Sequence, residues 1–285
     1  MANDKIPVLS IILVTYNHEK HIRKSIESIL SQKTTYPFEI VVVDDASTDG
    51  TQDVLREYQE KYDGIRLFLS QKNYGKGSIA ATEMGVTVTS KYLAYLDGDD
   101  YWVDDNKIEK QVGFLEINPD YVGVCHGNQL LLEHENNIIK IAPIPGLQEW
   151  SAEDYVKGEH ALYCHTSTWV WRNIYQEPWP PIMVKKQLFG DPVLASFYLK
   201  HGKVKYLEDV MTCYRIHNES SWSSLSEKER DKLNVDLYLK INEAMDFKYD
   251  KVLIGHYKRG LRYYREKHFF FFKWLYRFFG CFSRT

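Results

Sequence analysis

Four short apolar runs in the first third of the chain, each cut off by a polar cluster, limit its possible folds more than any other feature. Val8 to Val14, Glu39 to Val43, Ile65 to Leu69 and Tyr92 to Leu96 are nearly continuous in apolar residues. They lack the alternation of a half-exposed strand, so they read as parallel strands buried on both faces. Between them apolar residues return at helical spacing: Ile22, Ile26, Ile29 and Leu30, then Val54, Leu55 and Tyr58, then a segment from near Lys76 to Val88. Strand, helix, strand in this order predicts an α/β fold, a doubly wound, mostly parallel sheet with right-handed crossovers and helices on both faces.

The second half is less regular. Val122 to Cys125, Asn128 to Leu132 and Ile138 to Ile141 read as short strands with polar breaks, and Pro143 to Gly146 leads into an irregular stretch. Thr166 to Trp171 is strand-like, Pro192 to Lys200 reads as a helix, and Lys205 to Leu207 and Val210 to Tyr214 as two short strands. A long helix starts at Ser226, whose spacing to Glu229 is that of a capping box. The expected organisation is one domain over 1–225, its halves meeting near 120, and a helical C-terminal extension over 226–285.

Composition excludes several classes. With 285 residues, 44% hydrophobic and 26% charged, at a net charge of −3, this is a globular chain with no general reason to bind nucleic acid. Its four cysteines, Cys125, Cys164, Cys213 and Cys281, form no C-x-x-C pair, which argues against a zinc ribbon and suits a reducing compartment. No run of about 18 apolar residues marks a membrane span. The polar start, Met1 to Pro7, reads as no signal peptide. The expectation is a cytoplasmic protein.

Ligands of open parallel sheets bind beyond the carboxyl ends of the strands. Three polar clusters fall there: Thr15, Tyr16 and Asn17; Asp44 and Asp45; and Asp97, Gly98, Asp99 and Asp100. The last is the sharpest. Carboxylates are what a hard divalent cation needs, and such an ion neutralises a diphosphate leaving group. An isolated Asp-Gly-Asp is often only a turn, but its place after a buried strand favours the metal reading. One of Asp44 and Asp45 can accept hydrogen bonds from a base or ribose while Ser47, Thr48 or Asp49 starts the helix. Tyr16 can pack on a nucleobase or be half-buried core. Asn73 to Ser78 lacks the Walker pattern, so Gly75 and Gly77 serve chain reversal or phosphate approach, with Lys76 a weaker candidate for the phosphates.

With those strings in view, the chain resembles the family-2 inverting glycosyltransferases of GT-A fold. The matching strings are Ser10 to Asn17 (SIILVTYN), Glu39 to Thr51 (EIVVVDDASTDGT) and Tyr92 to Asp100 (YLAYLDGDD), with Asn73-x-Gly75 before an alanine-rich helix. The resemblance implies that Val14 and Tyr16 line the nucleotide pocket and that Asp45 contacts the base. It sets Asp97 and Asp99 at the metal, Mn²⁺ or Mg²⁺, and at the diphosphate, with Asp99 the preferred direct ligand. It places the catalytic base in Gly190-Asp191, with Glu208-Asp209 as rival pair. Tyr214 to Ser221 resembles a segment closing over the donor, in which Arg215 or His217 stabilises phosphate and His217 reaches the metal. His165 to Thr168 resembles the acceptor side.

The implied reaction transfers a sugar, with inversion, from a nucleotide-diphosphate donor (UDP by default) to a hydroxyl of a glycan or lipid-linked acceptor. Asp191 accepts the hydroxyl proton. A nucleotidyltransferase and a catalytically inactive sugar-nucleotide-binding subunit stand as alternatives, and a homodimer stays open.

The C-terminus adds a separate message. From Asp250 to Thr285 nine Lys and Arg face two acids, a formal balance of +7, interleaved with Phe269 to Phe272, Trp274, Tyr276, Phe278 and Phe279. That is the pattern of a helix in an anionic membrane interface, here the inner face of the cell membrane, although aromatic residues also cover partner surfaces.

Overall fold

The computed structural model describes residues 6–140, 148–158, 164–185, 190–217 and 225–268. In chain order its elements are β1 (Leu9–Thr15), α1 (Ile22–Leu30), β2 (Phe38–Asp44), α2 (Thr51–Lys61), β3 (Ile65–Leu69), α3 (Gly77–Glu83), β4 (Tyr92–Asp97), β5 (Tyr101–Trp102) and α4 (Lys107–Ile117). Then follow β6 (Tyr121–Leu132), β7 (Asn137–Lys140), β8 (Glu149–Trp150), α5 (Ala152–Lys157), β9 (Val170–Arg172), α6 (Pro181–Lys185), α7 (Asp191–Leu199), β10 (Lys203–Ile216), α8 (Glu227–Ala244) and α9 (Asp250–His268).

One sheet holds ten strands among the described residues, in the order β3-β2-β1-β4-β9-β6-β10-β5, with β7 on β6 and β8 on β10. β1 runs parallel to both β2 and β4. The chain winds outward through β2 and β3, then returns to place β4 on the other side of β1. That reversal opens a crevice at the carboxyl ends of β1 and β4, where α/β sheets bind ligands. Register puts Thr15 beside Asp44 and Val14 beside Asp97 at this edge.

The continuous apolar runs are explained by two cores. Leu9, Ile11 and Leu13 face one layer with Ile22, Ile26 and Ile29 of α1 and Ile108 and Val112 of α4. Ile12, Val41 and Val43 face the other, with Ala80 and Ala81 of α3 and Val193, Phe197 and Tyr198 of α7. Each fully buried aliphatic side chain contributes roughly 1.5–3 kcal/mol relative to exposure, so both faces must be apolar. The doubly wound α/β expectation holds, with helices on both faces.

The second half departs from the expected pattern in its lengths and directions. β9 runs antiparallel to both β4 and β6, whereas β6 and β10 are parallel to each other. The expected pair of strands over Val122 to Leu132 is one strand, because the polar break is itself buried: His126, Asn128 and Gln129 are at most 9% exposed. Likewise β10 is continuous across Glu208 and Asp209, which are accommodated where its register against β6 shifts between Leu207 and Val210. A bulge absorbs extra residues without ending a strand, so the two short strands expected there are one. The helix near Lys76 to Val88 is shorter than expected, Gly77–Glu83, and ends before a left-handed Gly85.

Ser226 and Glu229 form the expected capping box at the start of α8, which packs with α9. No helix among the described residues is long and apolar enough to cross a membrane. The aromatic run after His268 lies outside the described residues, as do Asn218 to Ser221.

Candidate active site

The loop after β4 is built by steric exclusion and backbone hydrogen bonds. A Cβ on Gly98 would lie 2.8 Å from both His18 Nδ1 and Thr15 Oγ1, so no side chain fits there. Gly98 N–H donates to Val14 O (2.8 Å) and Asp100 N–H to Asp97 O (3.0 Å), while Ser25 Oγ donates to Gly98 O (2.9 Å). The turn and the cluster are therefore the same object, and its carboxylates cannot spread apart.

Crowding sets their electrostatics. Burial, then the carboxylates of Asp99 and Asp191, pushes Asp97 up to about 8. Burial also raises Asp100 well above its ordinary value, with Asp99 and Asp97 adding repulsion. For Asp99 burial acts upward too, but the His217 hydrogen bond and His18 outweigh it and hold the group below its ordinary value. Asp100 Oδ2 is buried with no hydrogen-bond partner among the described residues. A packed carboxylate set with an unpartnered oxygen is chemistry that a divalent cation would satisfy, so the residues fit such an ion.

The far half of the chain arrives at the same edge. Arg215, at the end of β10, donates its N–H to Asp100 Oδ1 and its Nε to Asp99 O, both at 2.9 Å. Its Nη1 donates to Glu133 Oε1 at 3.1 Å. His217 Nε2 lies 3.0 Å from Asp99 Oδ2, and His18 Nε2 lies 3.8 Å from the same oxygen. Asp191 opens α7 after Gly190, and its Oδ2 accepts from Thr166 N–H at 3.0 Å. His165, beside that donor, has Nδ1 3.6 Å from Asp100 Oδ2 and stacks on Tyr214. The rival pair is elsewhere: Asp209 is exposed and bonds Lys110 Nζ at 2.7 Å.

On the other side of β1 the loops are stapled together. Asp45 Oδ1 accepts from Tyr74 N–H (2.8 Å), which holds the Asn73 to Gly77 loop. Asp44 is spent on its own turn, accepting from Ser47 N–H (3.0 Å) and Gln52 Nε2 (2.7 Å). Asn17, at a left-handed φ of 55°, accepts at Oδ1 from Thr48 N–H (2.7 Å), so this side chain bridges two loops. Gly77 lies against Val14, where an added Cβ would fall 2.1 Å from Val14 Cγ1. Tyr16 is 42% exposed, and Lys76 is exposed at the start of α3. Sequence reasoning missed His18, His21 and Glu133, and it named Thr166 only within the His165 to Thr168 segment, with no role for its N–H. His18 and His21 flank the first cluster and were legible as neighbours of it; Glu133 carries no local signal.

The family model described as glycosyl transferase family 2 matches residues 10–176. An uncharacterized Mycobacterium tuberculosis protein is 27% identical over 220 residues, 76% of this chain and 61% of that protein. The chain thus spans about three fifths of that relative's length. An Escherichia coli UDP-Glc:α-D-GlcNAc-diphosphoundecaprenol β-1,3-glucosyltransferase is 37% identical over 110 residues, 38% of this chain and 41% of that enzyme. Among solved structures, Staphylococcus aureus TarS 1–349 with UDP-GlcNAc aligns at TM-score 0.63 and 17% identity, covering 91% of this chain and 73% of that one. The Pyrobaculum calidifontis mannosyltransferase PcManGT with GDP-Man and Mn²⁺ aligns at 0.56 and 15%, covering 98% and 81%.

Proposed function

The chain belongs to glycosyl transferase family 2 and has its GT-A-type α/β fold, and on that premise we propose a metal-dependent, inverting transfer of a sugar from a UDP-sugar to an acceptor hydroxyl. It is a glycosyltransferase of polysaccharide or glycoconjugate biosynthesis. The observation that carries the finer reading is that Asp191, from the second half, is tied to Thr166 N–H, while the adjacent His165 reaches Asp100 Oδ2 at 3.6 Å, so that Asp191 borders the carboxylate loop and helps to raise Asp97. The UDP-GlcNAc and GDP-Man complexes of the two structural neighbours favour a nucleotide-sugar donor, and the E. coli relative's substrate favours a lipid-linked glycan acceptor.

Asp99, Asp97 and His217 are the residues that would hold Mn²⁺ or Mg²⁺, with Asp100 and His165, whose ligand atoms fall within 4.8 Å of that of Asp97, as further ligands; the ion would supply charge neutralisation to the departing diphosphate. Val14, Tyr16, Asp45 and Lys76 line the nucleotide side, and Gly98 lets the loop approach the donor. Asp191 takes the acceptor proton as that oxygen attacks the anomeric carbon. Thr166 N–H fixes one carboxylate oxygen of Asp191, which orients the other as base. Arg215 holds the Asp99 loop through its carbonyl oxygen, beside the position proposed for the donor phosphates.

The test is a screen of nucleotide sugars with Mn²⁺ or Mg²⁺ by thermal shift, followed by product analysis. A true donor stabilises the native state by mass action. Free UDP and a sugar joined to the acceptor with inverted anomeric configuration are the expected products. Pyrophosphate as product, or retention of configuration, sinks the reading.

A second surface supports peripheral attachment to an anionic membrane face. α9 exposes Lys251, Lys258, Arg259, Arg262 and Tyr263 on one arc, immediately before the basic and aromatic residues 269–285. Cations beside an exposed aromatic are the composition that headgroups bind.

A further inference from the structure

Beside the carboxylate loop lies a second cluster, which shares only His217 with the proposed donor site. His21 ends the loop before α1, Glu133 follows β6 and His217 follows β10. One ligand atom from each of the three falls within 4.8 Å of the others. His21 Nδ1 is 3.7 Å from Glu133 Oε1, and the His21 and His217 rings have centroids 5.0 Å apart. Both histidines are under a tenth exposed, whereas Glu133 opens to solvent.

Two imidazoles and one carboxylate are a different donor set from the oxygens of Asp97 and Asp99. Imidazole nitrogen suits zinc, copper and nickel, while magnesium and manganese prefer oxygen. Three such ligands with a fourth position open to water make a complete zinc coordination sphere. His217 is shared, since its Nε2 is also 3.0 Å from Asp99 Oδ2. Arg215 Nη1 donates to Glu133 Oε1 at 3.1 Å, a contact that an ion bound to that oxygen would displace.

We propose that His21, Glu133 and His217 form a binding site for a borderline transition-metal ion such as Zn²⁺, and that its occupation draws His217 away from Asp99. The site itself stands apart from the proposed transfer reaction; its inhibitory consequence rests on that reading. Zinc competes with manganese for one histidine, not for the carboxylate loop as a whole.

The experiment titrates the full chain, free of nucleotide, with Zn²⁺ against a chromophoric chelator. His21→Ala and Glu133→Gln are each expected to weaken zinc binding at least ten-fold and to leave Mg²⁺ affinity unchanged. Because Glu133 is at the surface, its variant keeps the test sound if His21→Ala does not fold. Zinc affinity unchanged in both variants, or lost only in Asp99→Asn, overturns the site. At saturating Mn²⁺, zinc should inhibit sugar transfer at least ten-fold more strongly in the wild type than in Glu133→Gln. Zinc bound through His21 and Glu133 without inhibition overturns the competition for His217, while failure of transfer with intact zinc binding counts only against the proposed reaction.

Discussion

Arg215 donates from Nε to the backbone carbonyl oxygen of Asp99, 2.9 Å away and 116 residues earlier in the chain. The guanidinium is buried under Tyr101, its centre 5.5 Å from the ring, and its main-chain N–H holds Asp100. The acidic loop is thereby clamped by the end of β10.

A lysine cannot reproduce that fork. Arg215→Lys should lower the melting temperature and cost about 2 kcal/mol, the worth of a hydrogen bond to a charged group. Transfer should fall further than stability alone accounts for, because Asp99 loses its fixed position. Unchanged melting and unchanged turnover would show that other bonds hold the loop.

Gly98→Ala should be worse for so small a change. The new methyl meets Thr15 and His18 at under 3 Å, and such overpacking costs about 1–3 kcal/mol. Donor stabilisation in a thermal-shift assay should disappear with it. A variant that binds donor normally would mean the loop has room that this geometry denies.

Asp191→Asn keeps the Thr166 contact but removes the base. Turnover should drop by roughly 10²–10⁴, the usual contribution of a positioned general base, while UDP affinity stays within about two-fold. Near-normal turnover would move the base elsewhere.

Lys107 offers a pH signature outside the site. It is fully buried, donates to Gln111 Oε1, and burial pushes its ammonium down to about 7. The folded state then binds fewer protons than the unfolded chain between about 7 and the ordinary lysine value near 10.4. Stability contributed at this position therefore rises with pH across that window and is least below 7. Lys107→Met should flatten the slope of unfolding free energy against pH between 7 and 10. An identical slope in both proteins would mean that Lys107 stays protonated when buried.

Removing residues after His268, or combining Lys258→Glu with Arg262→Glu, should release the protein from vesicles containing phosphatidylserine. Donor binding should persist in both. Unaltered sedimentation with vesicles would assign the basic arc of α9 to another role.

Local chemistry made the first half legible. A strand buried on both faces has to be apolar throughout, and the strand ends where polar groups must meet solvent or ligand, so the Asp44 and Asp97 clusters marked the sheet edge. The second half was harder to read for the same reason inverted. His126, Asn128 and Gln129 interrupt an apolar pattern yet are buried inside β6, and Glu208 and Asp209 imitate a turn within a bulged strand. Periodicity carries no record of a polar group that tertiary contacts will satisfy.

Asp97, Gly98 and Asp99 were therefore determined by sequence as one metal and diphosphate candidate: a strand end, a glycine and two carboxylates suffice to make it. What surrounds them was decided only by the tertiary structure. Arg215 and His217 reach the loop from the end of β10, Glu133 stands behind Arg215 and Thr166 behind Asp191, and these meetings depend on how β10 lies along β6 in the far half of the sheet. Hydrogen bonds and carboxylate repulsion act over a few ångströms of space, whatever the number of residues between their partners.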